Sequence, residues 1–246
     1  MEKSERTERL SAGRAAVLEL LRSTRPVDSL FIARGKREGL APLITLAKER
    51  GVPVKEVSPV KLDALCPGVN HQGVAASAAQ REYAELSDLL AAAAAKGEAP
   101  FLALCDEIED PHNLGAIIRT AEAAGAHGIV IPRHRSVGLT YAVAKAACGA
   151  LEHLPVARVA NMADAVDTLK ASGVFVYAAD MAGRDFRAVD FAGPAALVVG
   201  SEGKGIRPLV KARCDDLVSI PMRGAGTSLN ASVAAGILLF EISRSR

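Results

Sequence analysis

Three clusters of polar and glycine residues follow aliphatic runs in the second half of the chain. The first, from Asp106 to Gly125, places Asn113 and Arg119 six residues apart in a small, aliphatic segment. The first turn of a helix has free backbone N–H groups that can bind a phosphate or ribose oxygen. A helix cap at Asn113 and a solvated Arg119 explain the same residues without a ligand.

The second cluster is the segment Leu197–Ile206, in which an aliphatic run opens into a loop with glycine at 200, 203 and 205. Glycine lets a flat ligand approach the backbone closely, because it has no Cβ and accepts positive φ. The spacing matches neither the G-x-x-x-x-G-K-[ST] nor the G-x-G-x-x-G fingerprint. A nucleoside triphosphate or dinucleotide site therefore has little support.

The third cluster, Ser219–Glu241, begins with small and polar residues and continues as an apolar helix. Its loop and first helical turn contain Gly224, Gly226, Thr227, Ser228 and Asn230. A helix that is apolar all round must be buried, at a domain centre or at a subunit interface. Capping explains the polar residues at its start, but three such clusters in one domain favour a ligand site.

Alternating strands and helices must position these clusters. The predicted strands after Pro100 are Phe101–Cys105, Gly128–Ile131, Val174–Ala178, Ala195–Val199 and Leu217–Ile220. The predicted helices are Asn113–Ala124, Thr140–Cys148, Met162–Ala171 and Ser228–Ser243. Aliphatic strands separated by helices predict an α/β fold, with a parallel sheet covered by helices on both faces. Ligands of such sheets bind at the carboxyl ends of the strands, where the clusters lie.

The first 78 residues show the same alternation on a smaller scale. The predicted elements are helix Ser11–Arg22, strand Leu30–Ala33, helix Ala41–Arg50, strand Val52–Val57, helix Lys61–Leu65 and strand Gly73–Ser77. We predict a small α/β domain over residues 1–78, a helical linker over 79–99 and a larger domain over 100–246. Residues 1–80 hold 13 Lys and Arg against 9 Asp and Glu, whereas residues 99–246 hold 15 of each. The basic first domain suggests capture of a polyanion, although a chance imbalance of solvated side chains gives the same count.

Composition narrows the class of protein. Half of the 246 residues are hydrophobic, which excludes disorder as the main state. Four widely spaced cysteines without a C-x-x-C pair argue against a zinc site or a disulfide framework, so no metal is expected. The charged first ten residues predict no secretory signal, and the most apolar run, Ala231–Ile242, is too short to span a bilayer. These features predict a soluble, cytoplasmic protein with no membrane partner.

The three clusters resemble the signature motifs of the SpoU (TrmH) branch of the SPOUT methyltransferases. The matching segments are N-L-G-A-I-I-R-T at Asn113–Thr120, G-S-E-G-K-G-I at Gly200–Ile206 and S-I-P-M-x5-S-L-N-A-S-V-A at Ser219–Ala234. This resemblance covers residues 100–246. Residues 11–78, with G-R-A-A-V at Gly13–Val17 and H-Q-G-V-A at His71–Ala75, are similar to the L30e-like RNA-binding domain that precedes the catalytic domain in 23S rRNA guanosine 2′-O-methyltransferases.

The resemblance implies S-adenosylmethionine as the methyl donor, an RNA ribose 2′-hydroxyl as the acceptor, a homodimer formed through the catalytic domain, and a trefoil knot at the carboxyl edge of the sheet. The catalytic or substrate-handling positions that it implies are Arg119, Asn113, Glu202, Ser228 and Asn230. The positions that it implies for the donor are Gly200, Glu202, Gly203, Gly205, Ile220, Met222, Thr227, Ser228 and Leu229. The basic residues expected to contact RNA are Arg14, Arg22, Arg34, Lys36, Arg37 and Arg119.

Methyl transfer to a ribose hydroxyl is an in-line displacement, so the enzyme must align the hydroxyl and handle its proton. The resemblance assigns the key role to Arg119, sometimes as a general base. A guanidinium stays protonated at ordinary pH. We therefore expect Arg119 to bind a neighbouring phosphate and to stabilise the developing alkoxide, while water or a phosphate oxygen accepts the proton.

Several alternatives stay open. The acceptor could be a tRNA ribose or an rRNA adenosine, but the H-Q-G-V-A segment and the first domain favour a guanosine of 23S rRNA in the peptidyl-transferase region. A non-catalytic RNA-binding or ribosome-assembly factor could use the same fold, although five intact catalytic positions argue against it. A nucleotide-dependent dehydrogenase would need a glycine fingerprint and an acidic ribose ligand that the sequence lacks.

Overall fold

The structure, a computed structural model, describes residues 10–79, 81–224 and 228–246. The chain folds into two units. The first comprises the chain up to Glu82 together with Leu139–His153, and the second comprises Tyr83–Gly138 together with Leu154–Arg246.

The elements of the two units are numbered here in chain order. The strands are β1 (Leu10–Ala12), β2 (Val27–Ala33), β3 (Val54–Val57), β4 (Val74–Ala78), β5 (Phe101–Asp106), β6 (Gly128–Pro132), β7 (Val156–Val159), β8 (Phe175–Asp185), β9 (Ala195–Gly200) and β10 (Asp216–Ser219). The helices are α1 (Arg14–Arg22), α2 (Ala41–Glu49), α3 (Pro59–Leu65), α4 (Leu86–Lys96), α5 (Pro111–Ala123), α6 (Tyr141–Ala146), α7 (Met162–Ala171), α8 (Pro208–Arg213) and α9 (Ala231–Arg244). Short 3-10 turns lie at Glu38–Leu40, Ala150–Glu152 and Phe186–Ala188.

The first unit is built on a four-stranded sheet with the order β1-β4-β2-β3. β4 runs antiparallel to both of its neighbours, and β2 runs parallel to β3. Side chains of α1 and α2 form one core against β2 and β4, and Leu62 of α3 belongs to a second core. The predicted helix Ser11–Arg22 is wrong at its start, because Leu10–Ala12 pairs with β4 at the sheet edge and Gly13, at φ 91°, separates the strand from the helix.

The segment Leu139–His153 belongs to the first unit although it lies far along the chain. Tyr141 is buried in the core that contains Leu62. The carboxylate of Glu152, whose side chain is 3% exposed, forms ion pairs with Arg81 and Arg25. The observed division therefore differs from the predicted boundaries, because this segment finds its buried partners in the first unit.

The predicted linker over 79–99 also differs from the observed division. Its helix α4 places Leu89, which is fully buried, in the core of the second unit. Ala84 pairs with Ala157 beside β7. This stretch is therefore packed into the second unit from Tyr83 onward.

The second unit is built on a six-stranded sheet with the order β10-β8-β9-β5-β6-β7, and every neighbouring pair is parallel. On one face α4, α7 and α8 share a core with Leu104 and Val198 of the sheet. On the other face α5 packs against α9, and α9 contacts β9. This arrangement confirms the predicted parallel α/β sheet with helices on both faces.

The parallel strands place the three polar clusters at one edge of the second sheet. β5 ends at Asp106, β9 at Gly200 and β10 at Ser219, so each cluster begins at the carboxyl end of a strand. Within the described ranges, no helix is long and apolar enough to cross a membrane.

Candidate active site

Asn113, Glu202 and Asn230, one from each polar cluster, meet at the carboxyl edge of the second sheet. Asn113 lies in the first turn of α5, which Asp110 caps by accepting a hydrogen bond from the His112 N–H at 3.0 Å. Glu202 lies in the loop that follows β9. Asn230 caps α9, and its Oδ1 accepts hydrogen bonds from two backbone N–H groups of the first helical turn.

Hydrogen bonds between these side chains form what we call the Asn113–Glu202–Asn230 triad. Asn113 Nδ2 donates to Glu202 Oε1 at 3.0 Å, and Asn230 Nδ2 donates to Asn113 Oδ1 at 2.9 Å. Asn230 Nδ2 also donates to Glu202 Oε1. Because backbone N–H groups occupy the amide oxygen of Asn230, its NH2 group must face the other two residues. The triad therefore holds a carboxylate in a fixed position.

The loop between β9 and α8, from Gly200 to Ile206, folds back on itself; we call it the glycine loop. Ser201 and Gly205 exchange two backbone hydrogen bonds, at 2.9 and 3.2 Å. A Cβ at position 200 would collide with the backbone of Gly205 and Ile206, closer than 3.0 Å. Only glycine allows this approach, so the loop is held rigidly at the strand end.

A cavity of about 820 Å³ opens beside the glycine loop. The predicted donor-binding residues that line it are Gly200, Glu202, Gly203, Gly205, Ile220, Met222, Ser228 and Leu229. The ninth, Thr227, lies outside the described residues. The lining joins apolar side chains to the exposed backbone of the glycine loop and to a carboxylate, which suits a ligand with an apolar ring, polar groups and a positive charge. The residues present therefore fit S-adenosylmethionine.

The cavity also has a wall that the sequence analysis missed, formed by Ala179, Asp180 and Met181 of β8. Asp180 accepts hydrogen bonds from the Ala182 N–H and from Lys211 Nζ, both at 2.9 Å. Burial raises the pKa of Asp180, but these bonds lower it more, so its pKa lies below the ordinary value. The signal was available, because a polar residue and glycine follow this aliphatic strand as they follow the other three.

A smaller cavity of about 170 Å³ lies next to the first and shares Ser201, Glu202 and Lys204 with it. Its remaining lining residues are Glu107, Ile108, Glu109, Asp110 and Asn113. The hydroxyl oxygen of Ser201 is buried and has no hydrogen-bond partner in the described part of the chain. The triad therefore lies where the two cavities adjoin, with Glu202 lining both.

A buried ion pair fixes the end of β5 beneath this site. Asp106 is fully buried and accepts hydrogen bonds from Arg207 Nη2 at 2.6 Å, from Arg207 Nε at 3.0 Å and from the Arg207 backbone N–H at 2.9 Å. The hydrogen bond to Asp106 raises the pKa of Arg207 above its ordinary value. This clamp ties the strand that precedes Asn113 to the end of the glycine loop.

The other two predicted catalytic residues are Ser228 and Arg119. Ser228 is exposed and lines the larger cavity. Arg119 is exposed on α5, and six residues along a helix turn the side-chain direction by about 240° relative to Asn113. Arg119 is not among the described residues that line either cavity.

The predicted RNA-binding residues of the first unit fall into two groups. Arg22 pairs with Glu19 at 3.4 Å, and Arg37 pairs with Glu56 at 2.7 Å. Three others are exposed and form no ion pair with any described residue: Arg14, Arg34 and Lys36. An anionic ligand would meet less competition at the second group.

Groups of three or more His, Cys, Asp or Glu side chains that could hold a metal ion do not occur in the described ranges.

Comparison with known proteins decides the family. A family model described as the SpoU rRNA methylase family matches residues 100–240, more than half of the chain. The chain belongs to the SpoU methylase family. A second family model, described as RNA 2′-O ribose methyltransferase substrate binding, matches residues 12–84.

Individual relatives agree with this assignment. The SpoU methylase is 52% identical over 236 residues to a putative TrmH family tRNA/rRNA methyltransferase, YacO, of Bacillus subtilis, covering 95% of this chain and 94% of that protein. An AdoMet-bound rRNA methyltransferase from Sinorhizobium meliloti matches 99% of this chain and 90% of its own, with 28% identity and a TM-score of 0.79. The SpoU methyltransferase AviRb from Streptomyces viridochromogenes, in complex with AdoMet, matches 96% and 89%, with 26% identity and a TM-score of 0.79.

The comparisons confirm two predictions from the sequence. The resemblance to the SpoU (TrmH) branch of the SPOUT methyltransferases is correct, and the fold is theirs. S-adenosylmethionine is the methyl donor of the SpoU family. This chain is therefore a tRNA/rRNA methyltransferase that depends on S-adenosylmethionine.

Proposed function

We propose that this SpoU methylase methylates the ribose 2′-hydroxyl of a guanosine of 23S rRNA in the peptidyl-transferase region. The observation that carries the proposal is the Asn113–Glu202–Asn230 triad, whose carboxylate borders both cavities. The family description of residues 12–84 adds support for 2′-O ribose transfer. The H-Q-G-V-A segment of the first unit supports a guanosine of 23S rRNA.

The donor would occupy the larger cavity. When bound, S-adenosylmethionine supplies a methyl group attached to a cationic sulfur. After the transfer the sulfur remains as part of a neutral thioether, which is the leaving group. Ile220, Met222 and Leu229 would cover its apolar part, and the backbone of the glycine loop would bind its polar groups. Glu202 would place a negative charge beside the cation, which favours binding in a site with little water.

The acceptor ribose would enter from the smaller cavity. Asn113 and Asn230 keep the Glu202 carboxylate oriented, so this group can accept a hydrogen bond from the ribose hydroxyl. Ser228 lines the larger cavity, and its hydroxyl would hydrogen-bond across the site. Holding the hydroxyl in line with the methyl carbon is the main catalytic task, since alignment alone can supply several kcal/mol, about 7 or more in favourable cases.

Arg119 would bind the phosphate next to the target ribose and stabilise the developing alkoxide, while water or a phosphate oxygen accepts the hydroxyl proton. We propose a homodimer formed through the catalytic unit, as the resemblance to the SpoU branch implies. Helix α9 exposes Val233, Ile237 and Phe240, which are 49%, 37% and 53% exposed, along one face. Light scattering should give twice the chain mass for the wild type and the chain mass for Phe240→Asp, and a monomeric wild type contradicts the proposal.

Two further proposals complete the description. A trefoil knot at the carboxyl edge is part of this proposal, and its support is the fold that the chain shares with other SpoU methyltransferases. A cytoplasmic location follows from the proposed rRNA substrate, because bacterial relatives of this family would meet rRNA there.

Incubation of the purified protein with radiolabelled S-adenosylmethionine tests the substrate. Unmodified 23S rRNA and total tRNA are offered separately, and label is expected in the rRNA. Label in tRNA alone assigns the activity to a tRNA ribose and contradicts the rRNA proposal. No label in either RNA favours a substrate that exists only on an assembling ribosome, or a non-catalytic binding factor. Label in an rRNA adenosine contradicts the guanosine assignment.

A further inference from the structure

The first unit contains a cleft of about 440 Å³, a volume within the usual range of small-ligand sites. It is lined by Arg14, Lys36, Asn70, His71, Gln72 and Gly73. The loop before β4 therefore meets the start of α1 and the residues after β2 at this point. We call this feature the first-unit cleft.

The loop that forms the first-unit cleft is held in one conformation. His71 Nδ1 accepts a hydrogen bond from the Gly73 N–H at 3.0 Å, so its Nε2–H must donate to Asp63 at 2.9 Å. Gln72 adopts a left-handed φ of 51°, which is uncommon for a residue other than glycine. The imidazole therefore has both nitrogens engaged, and the neighbouring amides keep a fixed direction.

Two amide side chains point their NH2 groups away from these internal bonds. Asn70 Oδ1 accepts from the Gln72 N–H at 3.1 Å, and Gln72 Oε1 accepts from the Arg14 N–H at 3.0 Å. Because a backbone N–H can only donate, the oxygen of each amide must be the bonded atom. The NH2 groups of Asn70 and Gln72 make no hydrogen bond within the part of the chain that is described, so they can donate to a ligand.

Two cations complete the lining. Arg14 and Lys36 are exposed and form no ion pair with the described residues, in contrast to Arg22 and Arg37 of the same unit. No carboxylate lines the cleft among the residues that the structure covers. The side chains therefore offer hydrogen-bond donors and positive charge, with no competing acceptor. A ligand that fits must present phosphate oxygens together with carbonyl oxygens or ring nitrogens.

We infer that the first-unit cleft binds one unpaired nucleotide of the RNA substrate. The phosphate of this nucleotide would lie on Arg14 and Lys36, and the base would accept hydrogen bonds from Asn70 and Gln72. This inference rests on the proposed RNA methyltransferase function. Paired bases in A-form RNA present their edges in grooves that side chains read poorly, whereas loops and bulges extend theirs. A recessed cleft with amide donors therefore selects RNA with an extruded base.

Fluorescence anisotropy with the full-length protein tests the inference, using a labelled hairpin with a single-stranded loop and a fully paired duplex of the same length. Gln72→Glu keeps the oxygen that bonds the Arg14 N–H but replaces the NH2 donor by an acceptor. Lys48→Gln is the matched control, since it changes the net charge by the same amount outside the cleft. We expect Gln72→Glu to weaken hairpin binding about tenfold and Lys48→Gln to weaken it far less.

A second pair of variants keeps the test valid if Gln72→Glu perturbs the loop. Lys36→Gln removes an exposed cleft cation, and Lys48→Gln removes an exposed lysine of α2 that also has no ion pair in the described chain. Loss of one phosphate contact on a single strand should reduce the slope of log K against log salt by about 0.7 for Lys36→Gln. The slope should stay unchanged for Lys48→Gln.

The inference is overturned if the cleft variants and their controls lose the same amount of hairpin affinity. It is also overturned if the wild type binds the duplex more tightly than the hairpin. Methyl transfer by the same proteins separates this result from a failure of the proposed function. A wild type that labels RNA, with cleft variants that match their controls, overturns the cleft alone. A wild type that binds the hairpin through the cleft but labels no RNA overturns the proposed methyl transfer alone.

Discussion

Replacing Gly200 by alanine should disable the donor site while leaving the rest of the fold intact. The added Cβ would lie inside 3.0 Å of backbone atoms of Gly205 and Ile206. A backbone atom cannot rotate away as a side chain can, so the glycine loop must retreat by about 1 Å to restore an ordinary contact distance. The loop carries both the proposed donor contacts and Glu202, and these would move with it.

The expected loss of catalytic rate follows from that displacement of the glycine loop. A misplacement of about 1 Å in a reacting geometry can lower the rate about 100-fold, which corresponds to about 2.7 kcal/mol. We expect Gly200→Ala to lower kcat/KM for methyl transfer by about this factor and to raise the Kd for S-adenosylmethionine in isothermal titration calorimetry. Circular dichroism should show an unchanged content of helix and strand.

Gly224→Ala is the matched control, because its Cβ would meet no atom of the described residues within 4 Å and the residue has no positive φ. We expect this variant to bind the donor and transfer methyl groups like the wild type. Activity of Gly200→Ala within about threefold of Gly224→Ala, well below the factor of 100, would refute the role given to the glycine loop.

Three further changes test other parts of the structure. Asn113→Asp places a second carboxylate beside Glu202, and it should lower kcat at least about tenfold with little change in the Kd for the donor; a normal kcat contradicts the triad. Burial lowers the pKa of the His127 imidazole. The contribution of His127 to the free energy of unfolding is therefore complete above its unfolded pKa of about 6.5 and declines as the pH falls below that value. Thermal melting from pH 8 to pH 5 should show this decline in stability, and His127→Gln should make the decline smaller. Glu152→Gln removes the buried partner of Arg81 and should cost about 3 kcal/mol in urea unfolding, whereas a loss under about 1 kcal/mol contradicts a buried ion pair.

The strands of the second sheet were predictable because burial on both faces requires continuous aliphatic runs. Phe101–Asp106 and Ala195–Gly200 match their predictions to within one residue. β7 was missed because Arg158 interrupts the aliphatic run within Val156–Val159. The other strands of this sheet were predicted from aliphatic runs that contain no charged residue.

The partners of an element are harder to predict than the element itself. The helix at Tyr141–Ala146 was expected within residues 140–148, but not its place in the first unit. Hydrophobic periodicity shows that Tyr141 is buried and does not show that it packs with Leu62. Long-range ion pairs such as that of Glu152 leave no local pattern in the sequence.

The candidate site shows the same limit. Motif order indicated that Asn113, Glu202 and Asn230 belong to one site, and in the structure their hydrogen bonds join them. The wall at Asp180 was missed because β8 was expected to end at Ala178 and instead runs to Asp185.

Mapping the methylated nucleotide tests the proposed function most directly. After reaction of the wild-type protein with S-adenosylmethionine and unmodified 23S rRNA, a 2′-O-methyl group blocks alkaline cleavage at the modified ribose. We expect one new site of resistance, at a guanosine of the peptidyl-transferase region, that is absent when Gly200→Ala replaces the wild type. Incorporation of the methyl group without any new alkali-resistant site would place it on a base and contradict ribose methylation.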